Sequence, residues 1–218
     1  MSTPPRKISL TLSFGLLLIL LTLLLAYLLT GLKSHALRGA RLPVIGYIND
    51  FALTNQSGKA SSLADLRGQV WVGDIIFTRC PGPCLKMTRQ MKELQEALSA
   101  KSRTRFVTLT TDPDYDSPAI LEKYAARFNA YTNRWTFLTG TKKEVGLLAA
   151  NGLKLSAVEV DPADRKSETD LFIHSTKFVV VDKQARLRGV FDTGGEGVDW
   201  SVEKKKILAA VKQLEHEP

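Results

Sequence analysis

The chain has 218 residues, of which 44% are hydrophobic and 24% are charged, and its formal net charge is +8 at pH 7. This length suits one domain of ordinary size together with an additional segment. The positive charge is spread along the chain, and the lysine run Lys204–Lys206 forms the solvated face of a helical pattern. Because no aromatic residues interleave with the basic ones, we expect no nucleic-acid partner.

The first feature along the chain is an uncharged apolar segment at residues 8–32, ISLTLSFGLLLILLTLLLAYLLTGL. At about 1.5 Å per residue its helix is roughly 37 Å long, enough to cross a hydrocarbon core of about 30 Å. A signal peptide has an apolar core of roughly 7–15 residues, and the following SHALRGA is a poor cleavage match. We therefore predict an uncleaved transmembrane anchor at 8–32. Basic residues flank it on both sides, so charge does not decide its orientation.

A polar tether at 33–43 leads into a folded region at 44–218. Its first part alternates short apolar stretches around NQSGK, which predicts a β-hairpin. The segment Gln69–Phe77 is mostly apolar and rich in β-branched and aromatic residues, which is typical of a strand buried on both faces. The following LKMTRQMKELQEALSA has helical apolar spacing.

The rest of the chain continues this alternation. RFVTLTTD and WTFLTG are predicted strands, and SPAILEKYAARF and KKEVGLLAANGL are predicted helices. Two strand-like runs around a turn, TKFVVVD and ARLRGVFD, come before a last helix. The apolar stripe of that helix is predicted to be Val202, Ile207, Leu208, Val211 and Leu214. The pattern predicts one α/β domain whose sheet is flanked by helices and is partly antiparallel.

Both cysteines of the chain lie in FTRCPGPC, at Cys80 and Cys84, between the buried strand and its helix. The prolines suit a helix start, where backbone donors have no intrahelical partner. We expect Cys80 near the N-cap and Cys84 one turn later, with their Cα atoms about 6 Å apart on helix geometry. A helix N-terminus lowers thiol pKa values, so two thiolates on an exposed edge would form a disulfide or bind a soft metal such as Cu(I). A structural staple is the weaker explanation, because so short a loop restricts the unfolded chain little.

The strand, the cysteine pair and the helix resemble the thioredoxin-like plan, and the three-residue spacing with a proline after the first cysteine resembles the SCO/SenC family. Three later segments also resemble that family: TTDPDYDSPAILEKYA (Thr110–Ala125), FLTGTKKEV and HSTKFVVVDKQARLRGVF (His174–Phe191). The resemblance covers roughly residues 51–214. It implies a thioredoxin-like, membrane-anchored copper protein that assists cytochrome c oxidase assembly. The chain departs from the family in having Ile173 before the histidine and Leu85 after the second cysteine.

The resemblance places the family's copper ligands on Cys80, Cys84 and His174, where they would hold one copper ion as Cu(I), Cu(II) or both. It also implies that residues 1–7 are cytoplasmic and that the folded domain lies on the periplasmic side of the cell membrane. The expected partners are a respiratory oxidase subunit or another copper chaperone. Two readings of the cysteines remain open: a metallochaperone, and a thiol–disulfide oxidoreductase acting on a partner protein. His174 separates them, because disulfide exchange does not need an imidazole.

Several other residues have weaker claims to a role. Asp74 precedes Cys80 by six residues and resembles the buried aspartate of thioredoxin, which assists proton transfer; the alternative is that it faces a partner or water at a strand edge. The carboxylates of Asp112–Asp116 lack calcium-loop spacing and are predicted to cap the helix that starts near Ser117. Met87 and Met91 are predicted to fill the core. His35 and His216 are predicted to be solvated and without a specific role.

Overall fold

The computed structural model describes residues 10–39, 41–130, 133–161, 163–165, 171–195 and 197–218. Within its helices and strands, the side chains of residues 10–13, 29–39, 157, 173 and 174 lie outside that description. The chain divides into two units, Met1–Arg41 and Leu42–Pro218.

The first unit contains helix α1, Leu10–Gly39. The helix continues beyond the predicted anchor, so residues 33–39 of the predicted tether are helical. Between Phe14 and Leu28, each large hydrophobic side chain is between 51% and 76% exposed. Over the described residues, no helix combines the length and the apolarity that a membrane span requires.

The second unit is built on a mixed β-sheet. Its described strands are β1 (Gly46–Tyr47), β2 (Ala52–Asn55), β3 (Ala60–Ser62), β4 (Trp71–Ile76), β5 (Arg105–Thr110), β6 (Trp135–Thr139), β7 (Ala157–Glu159), β8 (Phe172–His174), β9 (Lys177–Val181) and β10 (Arg186–Asp192). Eight of these described strands form one sheet in the order β1-β10-β9-β4-β5-β6-β2-β3, and β7 pairs with β8 separately. Strands β4, β5 and β6 are parallel, whereas the other pairs are antiparallel.

Helices cover both faces of this sheet. They are α2 (Pro83–Ala97), α3 (Pro118–Arg127), α4 (Lys142–Leu147) and α5 (Trp200–His216), and α4 continues as a π-helical segment, Leu148–Leu153. One core cluster contains buried residues of α2, α3 and α5, and the other contains those of α4 and the π-helical segment. Alternate residues of β4 supply both clusters, so the strand next to the cysteines is buried on both faces, as predicted.

The sequence patterns predicted most of these elements. The antiparallel pairs β2–β3 and β9–β10 confirm the two predicted hairpins, and the alternation of parallel strands with helices confirms the mixed α/β class. The short strands β1, β7 and β8 were not predicted. The predicted apolar stripe of α5 is wrong at one position: Val202 is 44% exposed, whereas Ile207, Val211 and Leu214 are buried.

Candidate functional site

The two cysteines occupy different positions at the start of α2. The helix begins at Pro83 with Gly82 as its N-cap, so Cys84 is the second helical residue. Cys80 lies two residues before the N-cap, in a turn where its N–H donates to the Phe77 carbonyl at 3.2 Å. Cys80 therefore lies near the N-cap, as predicted, but outside the helix, so the predicted helix geometry does not apply to the pair.

The two cysteine side chains are buried. Cys80 is 5% exposed and Cys84 is 0% exposed. Burial raises the pKa of the Cys84 thiol, and the side-chain hydrogen bond with Cys80 raises it further. The Phe77 N–H, 3.5 Å from the Cys84 Sγ, lowers it only in part. The expectation of exposed thiolates is thus corrected for this thiol, because desolvation outweighs the effect of the helix N-terminus.

Asp74 lies in the central strand β4 and not at a sheet edge, and its side chain is fully buried. It accepts a hydrogen bond from the Thr108 hydroxyl at 2.6 Å, and the same hydroxyl oxygen accepts one from the Trp135 Nε1 at 2.9 Å. The charge of Asp74 raises the pKa values of Cys84 and of Tyr124, although burial raises both more. Asp74 therefore does not face water at a strand edge. Its carboxyl group is hydrogen-bonded to Thr108 and lies near enough to the cysteine pair to affect the pKa of Cys84.

The first turns of α2 connect the cysteines to the core. Thr88 donates its hydroxyl to the Cys84 carbonyl at 2.8 Å and lies 2.8 Å from the Tyr124 hydroxyl. Met87 and Met91 are 1% and 0% exposed within the same cluster, which confirms that they fill the core.

The loop after β5 holds the residues that precede Cys80. The fully buried carboxylate of Asp116 accepts hydrogen bonds from the Thr78 N–H at 3.1 Å, from the Thr78 hydroxyl and from the Thr110 hydroxyl. Burial raises the pKa of Asp116 despite these three donors, and the nearby charge of Asp112 adds to the increase. Asp116 therefore does not cap α3, whose N-cap is Ser117.

The next residue of the cysteine loop is held by the same segment. The guanidinium of Arg79 forms an ion pair with Asp112, which is 5% exposed, and lies 4.0 Å from the centre of the Tyr115 ring. These contacts were missed at the sequence level. The order of the predicted elements could have indicated them. The carboxylates follow β5 and the cysteine loop follows β4, and the carboxyl ends of parallel strands meet at one edge of the sheet.

The backbone of His174 ends the short strand β8, where it pairs with Ala157 of β7. The predicted strand that follows begins only at Lys177, so the histidine precedes β9 and does not begin it. The Phe172 ring packs edge-on against the Phe77 ring with centroids 5.3 Å apart, which brings β8 beside the cysteine loop. The side chain of His174 lies outside the described residues.

A series of hydrogen bonds connects α2 with the segment after His174. The Thr176 carbonyl accepts hydrogen bonds from the Thr193 N–H and hydroxyl, both at 2.8 Å. The buried side-chain amide of Gln90 donates to the Thr193 carbonyl at 3.0 Å. The helix that carries Cys84 thus also fixes the backbone two residues beyond His174.

Within the described side chains, no group of three or more His, Cys, Asp or Glu residues is arranged to hold a metal ion. His216 is exposed at the end of α5, whereas the side chain of His35 lies outside the described residues.

The SCO1/SenC family model matches residues 44–209. The SCO1 protein homolog of Bacillus subtilis (strain 168) is 32% identical over 142 residues, which are 64% of this chain and 70% of that protein.

Solved structures agree with this match. BsSco, a member of the Sco family of cytochrome c oxidase assembly proteins in which a disulfide switch was identified, is 28% identical with a TM-score of 0.67, over 82% of this chain and 100% of that one. Yeast Sco1 with copper bound shares the fold at 24% identity and a TM-score of 0.62, over 78% of this chain and 90% of that one. The domain that carries the cysteine pair therefore has the thioredoxin-like fold of these proteins, and the chain belongs to the SCO1/SenC family.

Proposed function

We propose that this protein binds one copper ion through Cys80, Cys84 and His174 and delivers it during assembly of the copper centre of a respiratory cytochrome c oxidase. The observation that carries the proposal is the pair of buried, adjacent cysteines whose loop packs against β8, the strand that contains His174. Membership of the SCO1/SenC family and the copper-bound structure of yeast Sco1 support it.

The donor chemistry of the site fits copper as a cargo. Two sulfur ligands and one imidazole favour Cu(I) over harder cations, and a site with three protein ligands leaves room for a ligand from the recipient. Because burial raises the pKa of the Cys84 thiol, copper must displace the proton from this sulfur. Asp74 is near enough to act on the charge of Cys84, and we assign it a supporting role in accepting that proton or orienting the site.

The proposal includes a membrane anchor. Residues 8–32 would span the membrane after a cytoplasmic segment at 1–7, and the tether at 33–43 would hold the copper-binding domain at 44–218 on the periplasmic side. The uncharged sequence of residues 8–32 and the exposed apolar side chains of α1 support the membrane span, and the orientation rests on the family resemblance. The recipient would be an oxidase subunit or another copper chaperone on that side of the membrane.

The ligand set is tested by replacing His174→Ala and measuring copper bound per protein under anaerobic, reducing conditions. We expect copper affinity to fall at least tenfold while Cys80 and Cys84 still form their disulfide. His216→Ala is the matched control, since it removes an exposed histidine far along the chain. Unchanged copper affinity in His174→Ala would refute the ligand assignment.

Thiol–disulfide exchange is the second candidate function. The Cys84 side chain forms a hydrogen bond with that of Cys80, and a disulfide switch was identified in the related BsSco. Cys80→Ser and Cys84→Ser should each abolish both copper binding and disulfide formation. If His174→Ala leaves copper binding unchanged and the wild-type protein reduces a disulfide-bonded partner, the oxidoreductase function takes precedence.

The anchor is tested separately by membrane fractionation and by a reporter fused after Pro218. We expect the full chain in the membrane fraction and a reporter that is active only outside the cytoplasm. A mature N-terminus near Ala36, or reporter activity in the cytoplasm, would overturn this part of the proposal without affecting the copper site.

A further inference from the structure

The loop Asp112–Asp116 holds the segment between Phe77 and Cys80 by two adjacent contacts. Thr78 is bound through its backbone and hydroxyl to Asp116, and Arg79 is bound through its guanidinium to Asp112. In the chain, both residues lie between Phe77, whose N–H is 3.5 Å from the Cys84 Sγ, and Cys80. Their contacts therefore hold the segment that leads from Phe77 to Cys80.

Asp116 is the buried member of this loop. Its side chain is 0% exposed, whereas Asp114 in the same loop is 72% exposed and pairs with Lys142 at 3.0 Å. Burying a carboxylate is costly unless hydrogen bonds compensate for the lost water. Here the compensation comes from Thr78 in the cysteine loop and from Thr110 at the end of β5. The carboxylate therefore joins the cysteine loop to the central sheet.

We propose that Asp116 is a positioning residue that keeps Cys80 beside Cys84. This inference concerns the same site as the proposed copper function and rests on it for its biological meaning. Disulfide closure and capture of a metal ion both require the two sulfur atoms to be brought together. A loop that is already fixed reduces the entropy lost in either event and raises the effective concentration of one sulfur near the other.

The test is Asp116→Asn in the full-length protein, because asparagine keeps the shape of the side chain and removes its charge. The disulfide is equilibrated with glutathione: glutathione disulfide accepts two electrons from the Cys80 and Cys84 thiols, the Cys80–Cys84 bond forms, and two glutathione thiols are released. We expect the equilibrium constant for disulfide formation to fall about tenfold, and Cu(I) affinity, measured by competition with a chromophoric chelator, to fall about tenfold. Asp114→Asn is the matched control and should change neither constant.

A merely structural role predicts a different result. In that case Asp116→Asn lowers the midpoint of urea unfolding and leaves the disulfide equilibrium constant of the folded protein unchanged, which would overturn the proposal.

If Asp116→Asn does not fold, the pair Thr78→Val and Thr78→Ser decides, since serine keeps the hydroxyl donor and valine removes it. We expect valine to lower the disulfide equilibrium constant and serine to restore it; equal constants would also overturn the proposal. If the wild-type protein binds no Cu(I), the proposed function fails, and the disulfide constants still test Asp116.

Discussion

Two buried polar networks lie at opposite ends of β4, and they stabilise their carboxylates by different means. Past the Ile76 end of β4, the carboxylate of Asp116 accepts hydrogen bonds from uncharged donors, and burial is the main cause of its raised pKa. At the other end, where Trp71 pairs with Val181, Asp182 contacts arginine side chains. Burial alone would raise the pKa of Asp182, but hydrogen bonds from Arg188 and Arg186 lower it below its usual value.

The second network joins distant parts of the domain. Arg188, whose side chain is 3% exposed, contacts Asp182 at 2.7 Å, Glu217 at 2.9 Å and the Leu42 carbonyl at 2.6 Å. It therefore joins Leu42, the first residue of the second unit, and Glu217, its penultimate residue, to β10, whereas the Asp116 network joins the loop before Cys80 to the sheet. We therefore expect the network with charged donors to stabilise the domain and the network with uncharged donors to fix the geometry of the site.

The largest effect should come from Arg188→Met, which keeps the apolar stem and removes the cation. Removing one partner of a buried ion pair typically costs about 3–5 kcal/mol, because the remaining carboxylates lose their buried cation. We expect a loss of this size in the free energy of unfolding by urea. Arg186→Met is the control: its side chain is 31% exposed, and it should cost clearly less.

The same Arg188→Met variant also tests whether the two networks act independently, if it is measured at urea concentrations below its unfolding transition. Its disulfide equilibrium constant should equal that of the wild-type protein, because the cysteine loop lies at the other end of β4. A changed constant would mean that the two networks are coupled.

An intermediate effect is expected on the acid stability of the protein. Asp116 has a raised pKa, so its contribution to stability is present at low pH and is lost as the pH rises through that raised value. The pKa of Asp182 is instead lowered in the folded state, so its contribution is present above the usual value of 3.8 and is lost as the pH falls through the lower, folded-state pKa. In Asp182→Asn, the urea midpoint should therefore fall less steeply as the pH is lowered. An unaltered slope would contradict the assignment of this ion pair.

The smallest change in stability should follow Arg79→Gln. Arg79 is 39% exposed, and partly exposed ion pairs contribute roughly 0.2–1 kcal/mol. The loss of its contact with Asp112 should nevertheless loosen the cysteine loop, so we expect iodoacetamide to alkylate Cys80 faster. Arg67→Gln, which removes an exposed pair with Asp50, is the control. Equal alkylation rates in both variants would show that Arg79 does not hold the loop.

The sequence alone predicted most elements of this fold, although not the short strands β1, β7 and β8, and it located both thiols. The apolar run before Cys80 is long enough and branched enough to define a strand buried on both faces, and β4 is that strand. Turn residues marked the β2–β3 hairpin, because the asparagine and glycine of NQSGK meet the local backbone requirements of a tight turn. These are properties of neighbouring residues, so they can be read along the chain.

The tertiary structure decided the chemical state of the site. The Cys84 pKa depends on burial beneath the loop, and the position of Asp74 depends on the strand order that places β4 between β5 and β9. The buried carboxylate of Asp116 accepts a hydrogen bond from Thr78, which is 38 residues away in the chain. Local pattern could not supply these facts, because desolvation and long-range hydrogen bonds exist only once the parallel strands bring distant loops to one edge of the sheet.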